Sequence, residues 1–520
     1  MTRAVFVWFA MAAAAGRLAA QPGIGQNGVV NAASQIAPTL PGGALARGAL
    51  FTIHGVRFGT AGNLAVAIRK GESVLVARIL STTPERIDAL VPATAPIGPA
   101  SLVVTAAGQP SLPFPIEIVE SNPGLFSRNG QGWGPGRIDN LEAPGSRRAN
   151  ALEHPARPGR QIVLAATGLG VARSITVFVG NRAVRAGAPI SSGRPGEEQI
   201  PLTLPVNVPE GCFVPVYLEA APLRASNVVT VAISSAPGAC RPAVFPVFHE
   251  RRIAAVVLSR VRMRALRQDA ETITDQVTVT LLANDGEPLL SPPMLIPPPG
   301  TCTAYTSSFQ SDTVLASPFS GALAAGRGLD AGPQLTLVRT GETREVYRAG
   351  PGSYRSRTGR GGLAANPRLP GLFLEPGRFT LRGLGGKDLG PFTWNFDGPA
   401  PFDWTDREQS AVVVRSHGLT VHWKGADSAQ LMVLLATNVD KVTTAIGSCM
   451  CTASAAAGHL TVPAELLANI PASQDMPGPP YDQLHLASVS AAPRGALAAP
   501  GMDSAVAPAI YAVGRFVQFR

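Results

Sequence analysis

A chain of 520 residues that is 45% hydrophobic and only 15% charged has ample material for buried cores, and its composition excludes wholesale disorder. Its 55 glycines and 48 prolines far exceed an ordinary combined share of about 12%, which excludes a body of long helices and fits many short strands joined by turns. The net charge of +10 comes almost wholly from arginine, since Lys70, Lys387, Lys424 and Lys441 are the lysines.

Residues 1–20 read as a secretory signal. Arg3 supplies the positive end, Ala4 to Ala15 the apolar run, and Leu18-Ala19-Ala20 the small-residue exit. That run is shorter than the ~20 residues a helical span needs, and no later stretch is long and apolar enough to cross a bilayer. The mature chain is therefore expected to be secreted or held in the cell envelope, with no membrane span. Export removes nucleic acid as a partner and leaves a weak attraction to acidic envelope polymers.

The first module is expected over residues 24–119. In Gly48–Gly59, read as G-A-L-F-T-I-H-G-V-R-F-G, Leu50, Thr52 and His54 alternate with Phe51 and Ile53, the period of a half-buried strand. Leu64–Arg69 and Val74–Leu80 follow, joined by a hairpin-like Lys70-Gly-Glu-Ser. Pro84–Val91, Ser101–Ala106 and Phe114–Val119 complete about six or seven short strands, the number that suits an immunoglobulin-like sandwich. The pattern then recurs. Sliding the chain by 113 positions lays Gly55 on Gly168, Pro92 on Pro205 and Gly98 on Gly211, which predicts a second copy of the same module. That copy is expected over 120–240, with a loop-rich lead-in through Gly130–Gly136.

These stretches carry a resemblance. F-T-I-H-G-V-R-F-G with its paired strands and I-D-A-L-V-P resembles the IPT/TIG branch of immunoglobulin-like domains. G-V-V-N-A-A-S (Gly28–Ser34), S-N-P-G-L-F (Ser121–Phe126) and A-T-G-L-G (Ala166–Gly170) resemble repeats of exported acidobacterial proteins of the Solibacter C-terminal domain type. The resemblance covers 24 to about 240 and implies fold and export. It implies no activity, because its motifs are turn and strand positions.

Within the second module, Cys212 and Cys240 are expected to pair in an exported chain, closing a loop of about 28 residues and stabilising the fold by roughly 3 kcal/mol. A β-rich unit is expected over 241–397. There Arg260, Arg262 and Arg264 share one strand face, either as a solvated face or as a polyanion stripe. Asn284-Asp-Gly-Glu287 signals a hairpin turn, and Tyr354–Gly362 reads as an exposed arginine-bearing loop. A C-terminal sandwich-like unit is expected over 398–520. In it Leu419–Trp423 places Thr420 and His422 on one face and Leu419, Val421 and Trp423 on the other, and Pro463–Ile470 makes two helical turns.

Constellations that carry chemistry do not assemble. There is no H-E-x-x-H, His249-Glu250 is followed by two arginines, no G-x-S-x-G exists, and Gly385-Gly-Lys-Asp lacks the hydroxyl a phosphate loop needs after its lysine. Cys449-Met-Cys451 lacks the further ligands of a metal clip. Because five cysteines cannot all pair, one of these two bridging to Cys302 leaves a free thiol. No catalytic, cofactor or metal site is expected. The expectation is an all-β protein of tandem immunoglobulin-like sandwiches, non-enzymatic, whose partner is an extracellular protein or polysaccharide. The alternative is a carbohydrate-binding protein that uses Trp394, Trp404 and Trp423 as exposed platforms, against the competing and favoured expectation that the same tryptophans fill cores.

Overall fold

In the computed structural model, the Gly48–Gly59 stretch forms the strand Leu50–Val56, with Phe51 and Ile53 buried. Thr52 is buried as well, its hydroxyl donating to Asp88 at 2.7 Å. The structure describes residues 21–520 except 60, 144, 171–174, 222–223, 243, 245–250, 265–270, 284–294, 309–325, 361–370, 477–480 and 492–498. The expected signal at 1–20 and the Asn284–Glu287 turn lie outside the described residues.

Leu50–Val56 belongs to a sheet ordered Gly23–Asn31, Leu50–Val56, Arg86–Leu90, Arg78–Thr83. A second sheet, ordered Leu45–Ala46, Phe114–Val119, Gly98–Ala106, Leu64–Lys70, Ser73–Val76, packs across it. Phe51, Ile53 and Ile87 from the first sheet meet Ile68, Leu102 and Ile118 from the second in one core. The second module repeats this plan. Ile138–Ala143, Gln161–Thr167, Glu198–Thr203 and Ile190–Ser191 form one sheet, with Ser146–Ala149 at its edge. Arg182–Arg185, Thr176–Val179 and Gly211–Ala221 form the other, with Val229–Ile233 also pairing to Gly211–Ala221. The marks of the 113-residue repeat fall at matching places: Pro92 and Pro205 follow the equivalent strands Arg86–Leu90 and Glu198–Thr203, and Gly98 and Gly211 open the strands that come next.

The three motifs of the family resemblance meet where the two sandwiches join. Asn31 Oδ1 accepts the backbone N–H groups of Ala33 and Ser34, and its Nδ2 donates to the Asn122 carbonyl at 3.1 Å. Asn122 in turn donates to the Gly42 and Ala44 carbonyls, while its backbone N–H reaches the Gly168 carbonyl at 2.9 Å. The Leu50 N–H donates to Thr167 Oγ1. Gly168 has φ +77°, and a Cβ there would lie 2.5 Å from the Asn122 carbonyl oxygen. Both the backbone angle and the close approach therefore call for glycine. The Asn31 and Asn122 side-chain amide N–H groups and the Leu50 N–H find these partners only when the sandwiches are docked, which makes the junction a fixed joint.

Beyond residue 250 the expected division fails. Units 241–397 and 398–520 share one large sheet, because the strand Arg252–Arg264 pairs antiparallel with Glu271–Ala283 on one side and parallel with Pro508–Phe516 on the other. Outward from Glu271–Ala283 lie Ser353–Arg360, Glu342–Gly350, Gln334–Arg339, Arg378–Gly383 and Phe392–Asp397. Outward from Pro508–Phe516 lie Gln483–Ala491, Leu431–Val439, Ala445–Ser454 and, at the edge, Cys302–Ser308. The Cys302 strand thus leaves its sequence neighbours and closes the opposite end of the sheet. Arg252–Arg264 is buried on both faces: Ala254, Val256 and Leu258 enter one core, and Ile253, Ala255 and Val257 another. A near-continuous apolar run of this kind marks a strand covered on both sides.

The arginine stripe is neither a solvated face nor a free polyanion surface. Arg260 is buried opposite Asp275 and binds both carboxylate oxygens, at 2.7 and 2.9 Å, with a third bond to Glu375. Arg262 pairs with Glu271 and Arg264 with Glu408. Asp275 lies directly across the ladder from Arg260, Glu271 reaches Arg262 diagonally from its place opposite Arg264, and Glu408 comes in from outside the two strands; together they neutralise the row. Tyr354 is fully buried in the strand Ser353–Arg360, so that segment is not the exposed loop the arginines suggested. The helical turns near Glu465 shorten to Ala464–Leu467.

Candidate functional site

The three tryptophans are core residues, as one of the two expectations for them had it, and the alternative role as ligand-contact aromatics fails. Trp394 is 0% exposed, and Trp404 and Trp423 are each 4% exposed. Trp394 stacks on Phe392 with centroids 4.2 Å apart. Trp404 and Trp423 pack beneath a small sheet of Asp403–Trp404, Leu419–Lys424 and His459–Val462, in a core shared with Leu434 and Leu484 of the large sheet. Their indole N–H groups are met from within, by Asp406 Oδ1 and by the Ala455 carbonyl, each at 2.8 Å. Period 2 places alternate residues on opposite faces, but whether the indole face is covered depends on another sheet, which the local pattern does not encode.

Cys212 and Cys240 are bonded, with Cα atoms 5.4 Å apart. This bridge stands beside a cleft of about 510 Å³ where the second sandwich meets the large sheet. One wall is Gly211 to Phe213 with Cys240. The second is the run Ile296–Pro299, held to the Ala445–Ser454 strand by the Thr452 hydroxyl, which donates to the Pro297 and Pro298 carbonyls. The third is the turn Ser428–Leu431. In that turn the Asp427 side chain accepts the Ala429 N–H and its carbonyl accepts the Gln430 N–H, which fixes Gln430 against the cleft. Gln430 is 9% exposed, and its Oε1 accepts no hydrogen bond from any described residue. A buried amide oxygen without a donor costs free energy that a matching occupant recovers.

A wider groove of about 660 Å³ lies between the two sandwiches, lined by Arg47, Glu120, Gly168–Gly170 and the 189–198 segment. Two ion pairs close within it, Arg47 with Glu120 at 3.1 Å and Arg194 with Glu197 at 3.8 Å. Glu198 in the same groove has its pKa raised by burial, against the Leu169 N–H that favours the ion.

The second bridge joins Cys302 to Cys451, directly opposite on adjacent strands, and leaves Cys449 as a buried free thiol. Burial, with the Glu465 charge behind it, pushes that thiol up to about 12, so it stays protonated and unreactive near neutrality. Sequence reasoning missed Asp406, which brackets His422. Asp406 Oδ1 accepts the His422 backbone N–H at 2.9 Å, and Oδ2 lies 2.7 Å from Nδ1. His422 also lies across the sheet from His459, a neighbour 37 positions away that no local spacing announces. His417 does not join them.

Among the described residues, no group of three or more His, Cys, Asp or Glu side chains is placed to hold a metal ion, and no helix is long and apolar enough to cross a membrane. No family model and no curated protein matches the chain. Solved structures similar to it include a glucan utilization protein of Bacteroides ovatus, SGBP-B in complex with a mixed-linkage heptasaccharide. It is 13% identical over 36% of this chain and 45% of that one, with a TM-score of 0.21. Domains 5–6 of the S-layer protein SbsC are 13% identical over 41% of this chain and 98% of that one, at 0.19. SGBP-B from a xyloglucan utilization locus of Bacteroides uniformis is 11% identical over 65% and 86%, at 0.18. Alignments this loose add no function to the chain; what stands, on its own sheets, is an all-β body of tandem immunoglobulin-like sandwiches joined to a larger sheet.

Proposed function

We propose that the chain is an exported, non-enzymatic interaction protein that binds an extended segment of an extracellular protein partner in the cleft beside Cys212–Cys240. The observation that carries this reading is Gln430, a buried amide with an unmatched acceptor in a proline-walled cleft. The Oε1 is closed to the cleft as it stands, so an occupant must draw the side chain round before a peptide N–H supplies the missing donor. The apolar wall of Ile296–Pro299 suits the alternate side chains of an extended strand. The signal-like segment, the two disulfides and the motifs shared with exported acidobacterial proteins support an extracytoplasmic address. Sugar recognition through tryptophan loses its support once all three indoles are buried.

The test is a random-peptide display library panned against the mature chain, with a glycan array run in parallel. Peptides that compete for one site should be enriched, and their binding should vanish in Ser428→Trp, which fills the cleft from an exposed position, while the glycan array stays at background. Peptide binding unaffected by Ser428→Trp, or glycan binding lost with it, would overturn the reading.

A further inference from the structure

The outer face of the small sheet carries a histidine pair that neither the fold nor the cleft requires. His422 and His459 lie directly opposite one another on antiparallel strands, with ring centroids 6.1 Å apart and planes inclined by 30°. Opposite residues of such a pair project from the same face. His422 has a side chain 56% exposed, His459 is exposed too, and two positions along the hydroxyls of Thr420 and Thr461 bond across the same open face.

Each imidazole is held at one nitrogen. His422 Nδ1 meets Asp406 Oδ2 at 2.7 Å, and His459 Nδ1 meets the Ala457 carbonyl at 3.0 Å. A carboxylate and a carbonyl only accept, so each Nδ1 carries the proton and the neutral ring keeps its lone pair on Nε2. No described residue bonds either Nε2. Metal-ligating histidines share this arrangement, in which one nitrogen is oriented by a carboxylate or carbonyl and the other is left for the ion. Two imidazoles sharing an ion at about 2.0–2.1 Å from each nitrogen hold their centroids roughly 5–6 Å apart, a distance these exposed rings reach with a small turn. Asp406 is itself anchored from inside, by the indole N–H of buried Trp404 at 2.8 Å. A purely structural role is weak by comparison, since an exposed Asp–His contact adds little stability.

We infer that His422 and His459 form a two-histidine site for a late first-row divalent cation, Cu(II) foremost by intrinsic affinity, with its remaining positions open to water or to a donor from a bound partner. Asp406 is its positioning residue.

The experiment is calorimetric titration of the untagged mature chain with Cu(II) alone, read alongside its electron paramagnetic resonance spectrum. One equivalent should bind with hyperfine structure from two imidazole nitrogens. His422→Gln and His459→Gln should each weaken that equivalent at least about tenfold, and Asp406→Asn by about 10–100-fold. His417→Gln should leave it unchanged, and circular dichroism should be the same throughout. The inference is overturned if the wild type takes up no Cu(II), or if the His422→Gln/His459→Gln double variant binds it as the wild type does. It is equally overturned if His417→Gln removes the site.

Discussion

The tandem sandwiches and the large sheet use the same strand chemistry but differ in how far each strand travels to find its neighbour. In the first sandwich Leu64–Lys70 pairs with Ser73–Val76 and Gly98–Ala106, so every partner lies within one module. In the large sheet Cys302–Ser308 pairs with Ala445–Ser454, and Arg252–Arg264 with Pro508–Phe516. The first arrangement is stabilised by local hairpins and a small core. The second draws on long-range closure, on a disulfide, and on ion pairs between distant segments. Perturbations should therefore separate the two regions.

The largest separation should come from Cys302→Ser combined with Cys451→Ser. This bridge spans 149 residues, and on the loop-entropy model its loss removes about 5 kcal/mol from the large sheet. Removing Cys212–Cys240, with a separation of 28, should cost the second sandwich about 3 kcal/mol. Scanning calorimetry on both variants should show different transitions shifting, and a common shift would merge the regions into one cooperative unit.

Next in size is Asp275→Asn. Its carboxylate takes two bonds from Arg260 and also accepts the Phe373 and Leu374 N–H groups. Only Glu375 would then face that buried guanidinium, and the loss should cost the sheet about 3 kcal/mol in urea unfolding.

Acidification should weaken the sheet more than the sandwiches. Burial, with help from Arg407, lowers the His485 pKa from 6.5 to about 4. Between those values the unfolded chain binds a proton that the folded chain refuses, so stability falls as pH falls, by on the order of 3 kcal/mol. Glu271 acts in the same direction. Burial alone would raise its pKa, but hydrogen bonds from Arg407 and Arg262 prevail and hold it low, so its contribution disappears as the carboxylate is protonated. In the first sandwich His54 is only half-buried and lowered by burial and Arg86, and adds a smaller loss. Unfolding midpoints measured from pH 7 to pH 4 should show this ranking.

The smallest effect expected is that of Asn31→Ala at the joint between the sandwiches. It strands the Ala33 and Ser34 N–H groups and should cost about 1–3 kcal/mol in sandwich unfolding, with the sheet transition unmoved.

What could be read from the chain follows the same division. Phe51 and Ile53 announce their strand by period, and Pro92/Pro205 and Gly98/Gly211 announce the repeat, because each mark acts within its own module. The Cys212–Cys240 pairing was legible from export and proximity. The Arg260–Asp275 pair, the Trp404 cover and the Asp406–His422–His459 cluster were not, since each is made by strands that meet only after the sheets assemble. The boundary drawn at 397/398 failed for that reason. Turn-rich composition marks where strands end, and it carries no record of which strand lies alongside.

The parallel pairing of Arg252–Arg264 with Pro508–Phe516 bears on the order in which the chain can fold as it is made. Residues leave the ribosome in sequence, so the Leu258 edge waits unprotected until about 250 further residues have been added to deliver Ala509. The leading sandwiches can mature meanwhile, while the trailing half stays vulnerable to proteases and to pairing with other nascent copies. A holdase that shields bare strand edges would serve this half of the molecule and be superfluous for the other.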